Sequence, residues 1–194
     1  MNKFRILSVF FLGITVGVTV LLFLGIISRN NFVKLSQAAA LPTPPVLCPH
    51  CGFGSDLGNR LTGVDLKNAY LTSFSSSGND FTGTNFKKAT LNNASSNSDN
   101  FTGAKFINAS IVHGQIVDDN FTGADFTGAI MTNWPSSGNN DFTNANFTNA
   151  DLTGSDFVAG GGNVFTGAIW SNTTCPDGTN SDSDGNTCSG HGTP

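Results

Sequence analysis

The sequence predicts an all-β solenoid, a chain wound into stacked four-sided coils of about twenty residues each. Three observations carry that reading. Large apolar residues recur every five positions, as in Phe81, Phe86 and Leu91, then Phe101, Phe106 and Ile111, then Phe121, Phe126 and Met131. The same columns recur over a longer period: Phe81, Phe101 and Phe121 stand 20 residues apart, and Phe142 and Phe165 follow at gaps of 21 and 23. Two places before many of these large residues stands alanine, at 69, 89, 104, 109, 124, 129, 145, 150 and 168. A period of five is neither the 3.6 of a helix nor the 2.0 of a flat strand. It fits a chain that turns a corner every five residues and sends one large side chain inward from each side. Self-similarity of this kind marks a repeat architecture.

Coils stacked at roughly 4.8 Å, the spacing of hydrogen-bonded strands, set like residues above like. The first column is then Phe81, Phe101, Phe121, Phe142 and Phe165, and the second is Phe86, Phe106, Phe126, Phe147 and Trp170. The third runs through Leu91, Ile111, Met131 and Leu152 to Cys175, and Leu61, Leu66 and Leu71 extend the columns backward by one period. A narrow interior holds one large group per side, so its neighbour must be small. Gly, Asn and Asp tolerate the backbone angles that tight corners demand.

The fourth side breaks the pattern. Its central positions hold Ser76, Ser96, Ile116, Ser136 and Phe157, and the stretches 75–79 and 95–99 read as loose corners. The extra residues fall beside Trp134-Pro135-Ser136 and at Ala159-Gly160-Gly161-Gly162-Asn163. One edge of the prism is therefore expected to bulge, and loops on one face of a repeat array are a common place for binding. Ahead of each first-column phenylalanine stands a polar pair: Asn79-Asp80, Asp99-Asn100, Asp119-Asn120 and Asn140-Asp141. These predict ladders in which amides alternate with acids to avoid like charges.

On these residues the chain resembles the pentapeptide-repeat proteins, whose loose pattern is Ala-(Asp/Asn)-(Leu/Phe)-X-X. It reads here as Ala104-Lys105-Phe106, Ala124-Asp125-Phe126, Ala145-Asn146-Phe147, Ala150-Asp151-Leu152 and Ala168-Ile169-Trp170. The resemblance implies a right-handed quadrilateral β-helix over residues 61–175. Some members of that family resemble double-stranded DNA in shape and charge and inhibit bacterial DNA gyrase.

Composition agrees with a single structural use of aromatics, since there are 17 Phe but 1 Tyr and 2 Trp. The charge is uneven. Lys3, Arg5, Arg29 and Lys34 stand in residues 1–40 without an acid, whereas the remainder holds all 13 Asp. Such a balance argues against nucleic-acid binding. Residues 1–40 read as a membrane anchor or signal segment. Ile6 to Ile27 carries no charge and is long enough to cross a bilayer as an N-terminal hydrophobic helix, which takes ~20 residues. Ala38-Ala39-Ala40 resembles a signal cleavage site, but it lies 13 residues beyond Ile27. Both readings export the rest, either anchored in the inner membrane through residues 6–27 or secreted after cleavage near Ala40.

Residues 41–60 form a Pro-rich linker and N-terminal cap, with Pro42, Pro44, Pro45 and Pro49 keeping the chain extended. Cys48 and Cys51 flank Pro49-His50. A thioredoxin-type pair wants a βαβ context that is absent, and a zinc site needs two more ligands where only His50 is near. Residues 176–194 form the C-terminal cap. There Asn180, Asp182, Asp184 and Gly185 match the opening of a calcium loop, but the position that should be Glu is His191. Asn180, Asp182 and Asp184 are thus weak calcium candidates, and no cofactor is expected.

The solenoid decides among the three pairings of four cysteines. Its ends lie on the order of 24 Å apart at ~4.8 Å per coil, whereas a disulfide needs Cα atoms within ~7 Å. Cys48–Cys51 and Cys175–Cys188 remain, one staple per end. His50, His113 and His191 have no evident catalytic partners, and no phosphate loop or acid–base pair stands out. The expected function is a non-catalytic structural or protein-interaction module outside the bacterial cytoplasm, its partner a protein or envelope component. The alternatives are a cytoplasmic DNA mimic that binds a type II topoisomerase, and an enzyme with an unrecognised site.

Overall fold

The computed structural model describes residues 61–135, 137–159 and 161–194, together with the backbone of Gly52 and Phe53. All lie in one compact unit, residues 45–194; the other unit, 1–44, falls outside the described residues.

Each five-residue segment folds into a turn, on the first three sides mostly because the amide three places after the inward residue donates to that residue's carbonyl. Thr84 N to Phe81 O (3.0 Å) and Ala89 N to Phe86 O (2.9 Å) are examples. The residue between them in the turn takes positive φ, as at Gly83 (65°), Lys88 (58°), Asn93 (58°) and Asn108 (55°). Asparagine outnumbers other non-glycine residues there because its short polar side chain tolerates the left-handed region best. Four such turns close one coil.

Coils then join through parallel bridges on every side: Asp80 to Asn100 to Asn120 to Asp141, Asp65 to Asn85 to Lys105 to Asp125, and Tyr70 to Thr90, with Thr90 to Ser110. The fourth side holds four strands in parallel order: β1 (Gly52–Phe53), β2 (Ser75–Ser77), β3 (Ser95–Asn97) and β4 (Gln115–Val117). Ser75, Ser95 and Gln115 are in register. The side that reads as loose corners in the sequence is therefore the one with continuous strands. Ser76, Ser96 and Ile116 turn inward between two outward neighbours, which is ordinary strand alternation.

The core is two continuous stacks of rings. Along the first column the centroids of Phe81, Phe101, Phe121, Phe142 and Phe165 stand 4.8, 4.9, 5.0 and 4.8 Å apart. Along the second, Phe86, Phe106, Phe126, Phe147 and Trp170 stand 4.9, 4.9, 5.2 and 4.7 Å apart. Ring contacts over ~4.5–7 Å add to the burial itself. All of these side chains are buried except Phe165, which is half-buried at the last coil.

Both insertions lie on the fourth side. The bridge from Val117 to Gly138 spans 21 residues, where Ser110 to Ile130 spans 20, and Asp141 to Val164 spans 23. Trp134 does not sit in the bulge but fills the core at 2% exposure. It belongs to an inward column of Phe74, Ala94, Gly114, Trp134 and Ser155, in which the large Phe74 and Trp134 flank the small Ala94 and Gly114. Its indole Nε1–H donates to Ile111 O, in the place of the usual turn amide. A Cβ on Gly114 would stand 3.0 Å from indole Cε2 and Nε1, so this position excludes a side chain.

One expectation is corrected. Among the described residues no helix is long and apolar enough to cross a membrane. The described helical segment is the 3-10 turn Ser181–Ser183. The hydrophobic helix expected over residues 6–27 lies outside the described residues. The fold class of the described residues therefore stands as a pentapeptide-repeat-like parallel β architecture. Membrane partnership through residues 6–27, inner-membrane anchoring and secretion after cleavage near Ala40 are withdrawn with that helix.

Candidate functional site

The polar pairs divide between inside and outside. Asn79, Asp99, Asp119, Asn140 and Asn163 point inward and are buried, whereas Asp80, Asn100, Asn120 and Asp141 point out. Inside, each rung accepts a backbone N–H from the coil before. Asn79 N donates to Asp99 Oδ1 (2.7 Å), Asp99 N to Asp119 Oδ1 (2.7 Å), Asp119 N to Asn140 Oδ1 (3.0 Å) and Asn140 N to Asn163 Oδ1 (3.0 Å). The expected alternation of amides with acids fails here, because Asp99 and Asp119 occupy successive rungs. Burial raises the Asp99 carboxyl and pushes Asp119 up to about 7, against hydrogen bonds from Ser76 and Ser96 that lower them.

Outside, charge is sorted by face. Lys67, Lys87, Lys88 and Lys105, all the lysines after residue 60, lie on the second side or its closing corner, where Asp65 and Asp125 are the acids. Among the described residues the other three sides and the cap carry Asp80, Asp118, Asp141, Asp151, Asp156, Asp177, Asp182 and Asp184 and no lysine or arginine. Asp141 is held below the usual carboxylate range by hydrogen bonds from Thr143.

The C-terminal cap is held covalently. Cys175 and Cys188 are bonded with Cα atoms 5.4 Å apart, and both are fully buried. Cys48 and Cys51 lie outside the described residues. His191, which seems unpartnered in the sequence, bridges two acids: Nδ1 lies 2.7 Å from Asp177 Oδ2 and Nε2 lies 2.8 Å from Asp184 Oδ2. Hydrogen bonds to these acids raise the His191 pKa, and Thr179 with His191 lowers Asp177 to about 2.

The calcium candidates are engaged in the cap. Asn180 Oδ1 accepts from Asp182 N (2.9 Å), Asp182 Oδ1 accepts from Asn172 N (2.6 Å), and Asp184 faces His191. They tie the cap to the last coil, and among the described residues no three His, Cys, Asp or Glu side chains are grouped to hold a metal ion. His113 is exposed at a left-handed corner, and His50 lies outside the described residues.

The described residues form a parallel β-solenoid with a charge-sorted outer surface, and among them no three His, Cys, Asp or Glu side chains are grouped to hold a metal ion. Eight copies of the family pattern "Pentapeptide repeats" match residues 60–95 and 139–158. No curated protein matches it. Among solved structures it is similar to a trypsin-treated form of QnrB1, a plasmid-mediated fluoroquinolone resistance protein. Identity is 26%, the match covers 56% of this chain and 57% of that one, and the TM-score is 0.41. Full-length QnrB1 gives 14% identity, 60% and 71% coverage and 0.42. The pentapeptide-repeat protein Rfr23 of the cyanobacterium Cyanothece gives 16%, 63% and 85%, and 0.38.

The expected module outside the bacterial cytoplasm, with an envelope partner, is corrected. Among the described residues no helix is long and apolar enough to cross a membrane.

Proposed function

We propose that the solenoid is a non-catalytic ligand of a basic protein groove, presenting itself as a DNA-like rod to a type II topoisomerase. The observation that carries the proposal is the sorting of charge. Among the described residues three sides and the cap carry acids and no lysine or arginine, and the lysines are gathered on the remaining side. A groove that recognises the spaced phosphates of a duplex meets a comparable field on those three sides, whereas the lysine side would be repelled from it. The orientation of binding is thereby chosen by charge.

The test is binding of the purified chain to a bacterial type II topoisomerase, with linear duplex DNA as competitor. Binding that weakens with salt, is displaced by DNA and is lost when Asp80, Asp141 and Asp151 are changed to Asn supports the reading. Absence of binding at low salt, or binding indifferent to DNA, overturns it.

A further inference from the structure

We propose that Asp99 and Asp119 together hold one proton at neutral pH, carried by Asp119, and that losing it loosens the fourth side of the solenoid. The interior ladder is thus a proton sensor, and it stands independently of the binding function.

The geometry defines the proton's place. Both carboxylates are 1% exposed and sit on successive rungs. Oδ1 of each is occupied as the acceptor of a backbone N–H, from Asn79 and Asp99 respectively. Oδ2 of each faces a hydroxyl: Ser76 Oγ bonds Asp99 Oδ2, and Ser96 Oγ stands 2.5 Å from Asp119 Oδ2. A proton must therefore sit on Oδ2, where it donates to the serine oxygen; once it leaves, the serine hydroxyl must donate instead.

The next rung shows what a neutral group does in the same place. Asn140 accepts Asp119 N and donates Nδ2 to Ile116 O (3.3 Å) and Asn163 Oδ1 (3.0 Å). Asp99 follows Ser76 and Asp119 follows Ser96, whereas Asn140 follows Ile116, which has no hydroxyl, and Asn163 follows Ser137, whose hydroxyl is turned to Pro135 O.

Among the described residues no cation packs against the pair. The coil before presents Ser76, Asn79 and the outward Asp80; the coil after presents Ser137, Asn139 and Asn140; Asp118 lies beside Asp119 and faces out. The lysines are on the second side, and His113 is exposed at the corner that ends the third. Two full negative charges one coil apart, away from water and with no cation beside them among the described residues, cannot both ionise at low cost. The direction of both carboxyls agrees, with Asp119 up to about 7. A carboxyl raised in the folded state contributes stability that is complete below the unfolded value and is lost as pH rises through the folded one. Strands β2, β3 and β4 should therefore loosen above neutrality.

The experiment is carbon-detected NMR titration of the aspartate carboxyls in the full chain, with amide exchange at Asn79 and Asp99 alongside. One buried carboxyl should keep its neutral-form shift to about pH 6–7, and Asn79 and Asp99 exchange should rise about tenfold beyond the intrinsic base-catalysed increase as it titrates. Asp119→Asn should remove the near-neutral transition and the excess exchange. Ser96→Ala retains both carboxylates, removes the bond that favours the charged form, and should move the midpoint to higher pH. The proposal is overturned if both carboxyls show ionised shifts from pH 5 upward, or if Ser96→Ala leaves the midpoint where it was.

Discussion

Replacing Phe126 by alanine takes one rung from the middle of the second ring stack. The side chain is fully buried, with Phe106 4.9 Å away on one face and Phe147 5.2 Å away on the other. Phe121 and Phe142 lie against its edge at 5.6 and 6.2 Å. The backbone of each flanking coil is pinned by hydrogen bonds such as Phe106 N to Asp125 O (2.7 Å) and Phe126 N to Asn146 O (2.8 Å), so the stack cannot close over the gap. Buried Phe→Ala changes that leave such a cavity cost about 3–5 kcal/mol, and the loss of two stacked contacts puts this one near the upper part of that range. Phe165 offers the control. It stacks on Phe142 alone within its column, is half-buried and ends the stack, so Phe165→Ala should cost roughly half as much, because each repeat is stabilised by its neighbours. Urea unfolding followed by far-UV circular dichroism reads both. A loss below about 1 kcal/mol for Phe126→Ala, or equal losses for the two variants, would refute the stacked-core argument.

Gly114→Ala should cost about 1–3 kcal/mol, since the new methyl meets the Trp134 indole and disturbs its bond to Ile111 O; the check is the unfolding midpoint with the Trp134 indole N–H resonance. Changing both Cys175 and Cys188 to serine opens a loop of sequence separation 13 and should cost about 3 kcal/mol, read as loss of unfolding free energy and as new protease cuts within residues 176–194. The His191 bridge should depend on pH at both ends. The histidine is raised, so its contribution is complete below about 6.5 and fades as pH climbs through its folded value, whereas the lowered Asp177 keeps its own contribution until pH falls towards about 2. Tail amides such as Thr179 and Gly190 should broaden as His191 deprotonates, and His191→Gln should abolish that dependence.

The repeat, its two periods and its inward columns are legible in the sequence, because the same large residue must return whenever the coil returns to the same side. The place of the insertions and the sorting of lysines to one side follow from that numbering too. The tertiary structure decided what the period does not encode. On the fourth side the central residue is small, so a second residue of the same segment turns in, and Asp99 and Asp119 become interior although polarity alone would place them in water. Trp134 reads as part of a loop because it breaks the five-residue rule; it is buried because Ala94 and Gly114, in the two coils before it, leave the volume an indole needs. His191 meets Asp177 and Asp184 only because the disulfide and the turn at 181–183 fold a non-repeating tail back on itself, and a tail without a period carries no register in its sequence. Periodicity determines position along a repeating coil, whereas volume left by neighbouring coils and closure of the end are properties of chain segments brought together in space.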